Sequence, residues 1–212
     1  MKTHVKVCGL RRPEDVDLCL ELGVDLLGFN CWPKSPRYAA PALVESLVAR
    51  VGGRADVVLV VVDATPDDVL RLLGQVASAG ATTWIQLHGG QDPFAYTAAG
   101  SRIIQVLRVG GASPLPAVTA ERALIDVHHP DFGGTGRAIE HEHVEALRPR
   151  LPREWMLAGG LTPSNVGDAI RALRPWGVDV ASGVEQEPGV KDRGKLSDFV
   201  RLVRETETID AN

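Results

Sequence analysis

The chain has 212 residues, 44% hydrophobic and 24% charged, which is enough to bury one sizeable core and near the usual balance of a soluble domain. A formal net charge of −4 without a basic tract excludes the electrostatic footprint of a nucleic-acid binder. The apolar run Val57 to Val62 is far too short to span a bilayer and Met1 to Lys6 has no apolar signal-peptide core, so a cytoplasmic domain with no membrane partner is expected.

The first strand, Val5–Val7, ends on Cys8 and Gly9. Pro13-Glu14-Asp15 then opens a helix, with proline in the first turn and acids at the positive end of the dipole, and Gly23 closes it. A second strand, Asp25–Phe29, leads into the loop "WPKSPRY" (32–38), stiffened by two prolines and offering Lys34 and Arg37 as cations; a helix over Pro41–Arg50 follows. Strand three is Val57–Val62, and Thr65 caps a helix beginning Pro66-Asp67-Asp68. Strands four and five, Trp84–Leu87 and Ile103–Leu107, flank a short helix near Asp92–Ala99. The segment Gly110–Glu121, holding Pro114 and Pro116, has room for little more than a turn.

Strand six, Ala123–Val127, runs into "HHPDFGGTGR" (128–137), where three glycines in four positions suggest a mobile lid, and a helix over Ile139–Leu147. Strand seven, Trp155–Ala158, is followed by a helix expected to open at Pro163-Ser164-Asn165 behind Thr162. Strand eight, Val178–Ala181, precedes a last helix over Lys195–Arg204.

Most of the eight strands are continuous apolar runs, as burial on both faces of a parallel sheet requires. Eight strands alternating with helices predict a single-domain α/β fold, a closed (β/α)₈ TIM barrel over residues 1–205, with a polar tail at 206–212. An open doubly wound sheet is the alternative, but no G-x-G-x-x-G follows the first strand.

A barrel of this kind places its active site at the carboxyl ends of the strands. Those ends are Cys8, Asn30-Cys31, Asp63, His88, Arg108, Asp126, Gly159-Gly160 and Ser182-Gly183. Asp126 interrupts an apolar strand, so its carboxylate is either paired or functional, and a raised pKa would suit a general acid. The turns "AGGL" (158–161) and "SGVE" (182–185) lie after strands seven and eight, the usual phosphate position. Cys19 belongs to the first helix's apolar face, and the three cysteines show no disulfide or C-x-x-C pattern. His128-His129-x-Asp131 and His141-x-His143 invite a metal, but the second pair does not share a helix face and the first lacks partners on other strands. His88 reads as a pocket-wall residue.

These residues resemble the phosphoribosylanthranilate isomerase family of tryptophan biosynthesis, through "VKVCGLRRPED", "PKSPRY", "IQLHG", "LIDV", "GGTGR", "LAGGLTPSNV" and "GVDVASGVEQEPGVKD". The resemblance implies an Amadori rearrangement of a small phosphorylated substrate without metal or organic cofactor, by a monomer or homodimer. It further implies Cys8 as general base, Asp126 as general acid, Arg37 as receiver of the anthranilate carboxylate, and Gly159, Gly160, Ser182 and Gly183 as the phosphate cradle. Asn30, Cys31 and "AIEHEHV" (138–144) depart from the family pattern. Rival readings are the analogous isomerase of histidine biosynthesis or a dual enzyme, which would have an aspartate in place of Cys8, and a non-catalytic phosphosugar-binding barrel. A pentose-phosphate epimerase lacks its metal ligands here.

Overall fold

The computed structural model describes residues 2–76, 82–97, 100–109, 116–127 and 141–209, with only the backbone at 141–143 and 208–209. Eight parallel strands close into one barrel in sequence order. They are β1 (His4–Cys8), β2 (Leu26–Asn30), β3 (Asp56–Val61), β4 (Thr83–Leu87), β5 (Arg102–Val109), β6 (Arg122–Val127), β7 (Glu154–Ala158) and β8 (Gly177–Val180). The seam is β1 against β8, with Val5 opposite Val178 and Lys6 opposite Asp179. Outside the strands lie helices α1 (Pro13–Glu21), α2 (Pro41–Val51), α3 (Pro66–Val76), α4 (Pro93–Thr97), α5 (His141–Leu147), α6 (Val166–Leu173) and α7 (Arg193–Ile209).

Side-chain alternation along each strand splits the core in two. One set, including Val5, Val7, Phe29, Leu59, Ile85, Ile125 and Leu157, packs against helix residues such as Val16, Leu47, Ile170 and Phe199. The other, including Leu26, Val58, Trp84, Ile104, Leu124 and Met156, fills the barrel's interior. Both faces are dry, which is why the strands read as unbroken apolar runs.

The amino-terminal end is closed by rings and charges. Arg122 lies between Trp84 and Trp176, 3.8 and 4.4 Å from their centroids, and bonds Glu154 at 2.6 Å. His4 stacks on Trp176 at 3.9 Å, and Trp84 Nε1 donates to Asp56.

Two expectations are corrected. Helix α6 starts at Val166, not Pro163: Asn165 Oδ1 accepts the Thr162 N–H at 2.8 Å and its Nδ2 donates to the Gly160 carbonyl, holding 163–165 in a turn. The last helix passes the expected boundary at 205 and runs to Ile209, with Thr206 buried and Glu207 accepting the Thr3 N–H at 2.7 Å. Between Val180 and α7, a hairpin (Glu185–Glu187 with Val190–Lys191) appears that carried no signal of alternation. Thr65 does cap α3, accepting the Asp68 N–H while Asp68 accepts the Thr65 N–H. Between β5 and β6 the described residues 116–121 form no helix, and Gln105 instead bonds Ala117 O and Thr119 N. The glycine-rich loop 128–137, Pro114 and the ends of the helices expected from Ile139 and to Ala99 lie outside the described residues.

Asp25, at the start of β2, accepts hydrogen bonds from Lys2, the Val5 N–H and Arg204. Burial alone would push its carboxyl up, but these bonds outweigh it and hold it below the usual range. A depressed folded pKa contributes stability above the unfolded value and loses it as pH falls through the folded one. Asp25→Asn is therefore expected to cost about 1–3 kcal/mol at pH 7, measured by urea unfolding, and the gap from wild type should shrink as the solution is acidified below about pH 4.

Candidate active site

A cavity of about 440 Å³ opens at the carboxyl ends of the strands. Cys8, Arg37, His88, Asp126, Gly159, Gly160, Ser182 and Gly183 all line it. The eight come from β1 and β6 and from the segments after β2, β4, β7 and β8, so only barrel closure brings them together.

Cys8 is the last residue of β1 and stands in register with Gly28. Burial pushes its thiol up from the ordinary value; Lys6 pulls it down, Asp179 pushes it further up, and Lys191 again lowers it. The balance leaves the thiol protonated near neutrality. Across the mouth, Asp126 Oδ2 lies 4.0 Å from His88 Nε2. Burial, then Arg108, hold the His88 imidazole below its usual range, against the pull of Asp126, so the ring is neutral at pH 7. Arg108, opposite Asp126 in the β5–β6 register, also lines the cavity.

Arg37 does not stand as an isolated cation. Its Nε and Nη2 grip the buried Glu185 carboxylate at 2.7 to 3.1 Å, and among the described residues Nη1 has no partner. Glu185 also accepts from Lys191 Nζ at 2.9 Å and from the Gly189 N–H at 3.1 Å. Lys191 in turn donates to the carbonyls of Cys8 (2.7 Å) and Ala181 (3.1 Å). A planar guanidinium fixed on two nitrogens is aimed by that grip.

The two glycine turns meet backbone to backbone. A side chain at Gly159 would overlap the Val127 carbonyl, and one at Gly183 would overlap the Leu161 carbonyl. Gly159 and Gly160 have φ of 95° and 65°, a conformation that favours glycine. Ser182 and Gly183 start a single 3₁₀ turn.

Other rim residues fall elsewhere. Asp63 takes a left-handed φ of 49° and does not line the cavity. Cys31 faces a neighbouring cavity beside Pro33, Pro41 and Leu72, with burial pushing its thiol up to about 12. Cys19 is core, its thiol likewise at about 12, and Lys34 is exposed. His128, His129 and Asp131 lie outside the described residues. Lys6, Asp179, Glu185 and Lys191 were missed by the sequence reading. Asp179 in "GVDV" interrupts an apolar strand as Asp126 does in "LIDV", and Lys6 does the same in "HVKV"; that signal, applied evenly, would have found both.

Residues 5–202 match the family model of N-(5'-phosphoribosyl)anthranilate (PRA) isomerase. The chain is 34% identical to an N-(5'-phosphoribosyl)anthranilate isomerase of Bordetella pertussis, over 99% of each chain. It is 38% identical to one of Nitrobacter hamburgensis, over 98% of this chain and 95% of the other. Among solved structures, TrpF from Jonesia denitrificans superposes with a TM-score of 0.81 at 37% identity, covering 97% and 98% of the two chains. A phosphoribosyl anthranilate isomerase in complex with reduced 1-(o-carboxyphenylamino)-1-deoxyribulose 5-phosphate does so with 0.78 at 27% identity, covering 96% and 99%.

Glu185→Ala would leave Arg37 and the buried Lys191 without their shared acceptor. The expected cost is about 3–5 kcal/mol in unfolding free energy, read by urea denaturation; a loss below 1 kcal/mol would show that the two cations find water instead.

Proposed function

Because the chain belongs to the N-(5'-phosphoribosyl)anthranilate isomerase family, we propose that its cavity carries out the family's reaction with Cys8 as general base and Asp126 as general acid. The reaction is the Amadori rearrangement of N-(5-phosphoribosyl)anthranilate to 1-(2-carboxyphenylamino)-1-deoxyribulose 5-phosphate, an aldose–ketose isomerisation of tryptophan biosynthesis. The observation that carries the assignment of roles is that a thiol and a carboxylate from opposite sides of one closed barrel, β1 and β6, face a single cavity.

Asp126 gives a proton to the furanose ring oxygen, the C1–O bond breaks, and the anilino nitrogen takes up the positive charge as an iminium. Cys8, as thiolate, then removes the C2 proton; the electron pair forms the C1–C2 double bond and neutralises the nitrogen, giving an enolamine. Tautomerisation of the enolamine yields the ketone. Arg37, held by Glu185, offers Nη1 to the anthranilate carboxylate, and the Gly159–Gly160 and Ser182–Gly183 turns offer backbone to the phosphate. The cytoplasmic location and the monomer or homodimer belong to the same reading. A dimeric phosphoribosylanthranilate isomerase comes from Thermotoga maritima, and no helix among the described residues is long and apolar enough to cross a membrane.

Cys8→Ala and Asp126→Asn are each expected to lower kcat/KM by roughly 10³-fold, followed by the loss of substrate fluorescence. Wild-type levels in either folded variant would remove that residue from the mechanism. Since the working form pairs a Cys8 thiolate with a protonated Asp126, wild-type kcat/KM should be bell-shaped in pH, and because burial raises the thiol the basic limb should lie above the free cysteine value near ~8.5. Gly183→Ala, which drives a methyl into the Leu161 carbonyl, should weaken binding of the phosphorylated product analogue by about tenfold or more, measured by calorimetry.

A further inference from the structure

One turn of the pleat below Cys8 on β1 lies Lys6, whose side chain is completely buried. The two share the inward face because side chains alternate along a strand. Around Lys6 the barrel interior is filled by residues such as Val58, Ile104, Leu124 and Met156, and an apolar side chain of its length would pack there without the cost of burying an ammonium. Packing therefore does not account for a lysine at this depth.

Its surroundings do. Lys6 Nζ donates to Asp179 Oδ1 at 2.9 Å across the β1–β8 seam. Gly28 on β2 leaves open the space into which both Lys6 and Cys8 project. A Cβ built on Gly28 would lie 3.0 Å from Cys8 Sγ and 3.2 Å from Lys6 Nζ, so thiol and ammonium flank one point. The other cations near Cys8 are already committed. Lys191 spends its donors on Cys8 O, Ala181 O and Glu185, and Arg37 spends Nε and Nη2 on Glu185. Lys6 gives one N–H to Asp179 and, among the described residues, its remaining donors have no other oxygen or nitrogen acceptor. The remaining charged or titratable neighbours are Cys31 at the end of β2 and, across the mouth, His88, Arg108 and Asp126.

Resting on the reading of Cys8 as the base, we propose that Lys6 is its positioning residue: the buried ammonium supplies the charge against which the Cys8 thiolate forms, and Asp179 anchors that ammonium while limiting how much of its charge the sulfur receives. The influences on the thiol have the matching signs, since Lys6 favours the thiolate and Asp179 opposes it. Asp179 is thus a brake as well as an anchor. No proton leaves Lys6 in the reaction, because its pairing with Asp179 and Cys8 outweighs burial and keeps it charged. The C2 proton goes to sulfur and returns from there to the enolamine or to solvent.

The test needs no substrate, so its failure is distinguishable from failure of the isomerase reading. Alkylation of Cys8 by iodoacetamide is followed against pH by peptide mass, in wild type, Lys6→Met and Asp179→Asn, with folding checked by circular dichroism. Lys6→Met is expected to raise the pH midpoint of alkylation by about one unit or more, a tenfold loss of thiolate at fixed pH. Asp179→Asn, which keeps the ammonium and removes the opposing carboxylate, is expected to lower it. The basic limb of kcat/KM should move in the same directions. An unchanged midpoint in folded Lys6→Met, or both variants shifting together, would overturn the proposal. If Lys6→Met does not fold, Asp179→Asn decides alone: a fall supports the proposal, and no change or a rise overturns it.

Discussion

Closure of the parallel barrel is the constraint on which everything else rests. With β1 hydrogen-bonded to both β2 and β8, no strand of the barrel has a free edge, and each alternates between a face that meets helices and a face that meets the barrel axis. On β1 this parity sends Val5 and Val7 to the helices and His4, Lys6 and Cys8 to the axis. A slip of one residue would exchange the two sets, bury Val5 and Val7 against charges, and take the thiol out of the cavity. The register that stabilises the core is therefore the register that positions the chemistry.

From floor to mouth, the interior changes character along the axis. The floor is a lattice of Arg122, Trp84, Trp176 and His4, whose charges are matched by Asp56 and Glu154. The middle is apolar but for Gln86 and the Lys6–Asp179 pair. The mouth gathers the titratable groups. Two carboxylate-centred clusters sit there on opposite sides. Glu185 ties Arg37 and Lys191 to the backbone of Cys8 and Ala181, while Asp126 faces His88 and Arg108. The first cluster is densely bonded and rigid. The second is looser, with Asp126 and His88 4.0 Å apart, which fits the acid role proposed for Asp126.

Much of this was legible in the chain. Eight apolar runs were enough to place all eight strands to within a residue or two, because burial on both faces leaves no polar alternation to confuse them. Cys8 and Asp126 stood out because each interrupts or ends an apolar run at the mouth. The pairing of Arg37 with Glu185 could not be read, since 148 residues separate them and only barrel closure makes them neighbours. The start of α6 was misplaced for a local reason: Asn165 caps backward onto Thr162 and Gly160, while Thr162-Pro163 looks like an ordinary helix opening. The end of α7 was cut short because "ETETI" is polar in composition, although Thr206 is buried and Glu207 accepts the Thr3 N–H just before β1.

The division of labour between Cys8 and Asp126 is tested most directly by a kinetic isotope effect, using substrate deuterated at ribosyl C2 and comparing Cys8→Ser with Asp126→Asn. If Cys8 removes the C2 proton after Asp126 opens the ring, the weaker base in Cys8→Ser makes proton removal rate-limiting and yields a full primary effect on kcat/KM, whereas Asp126→Asn makes ring opening limiting and brings the effect close to unity. A full effect in Asp126→Asn with none in Cys8→Ser would reverse the two roles and contradict the account.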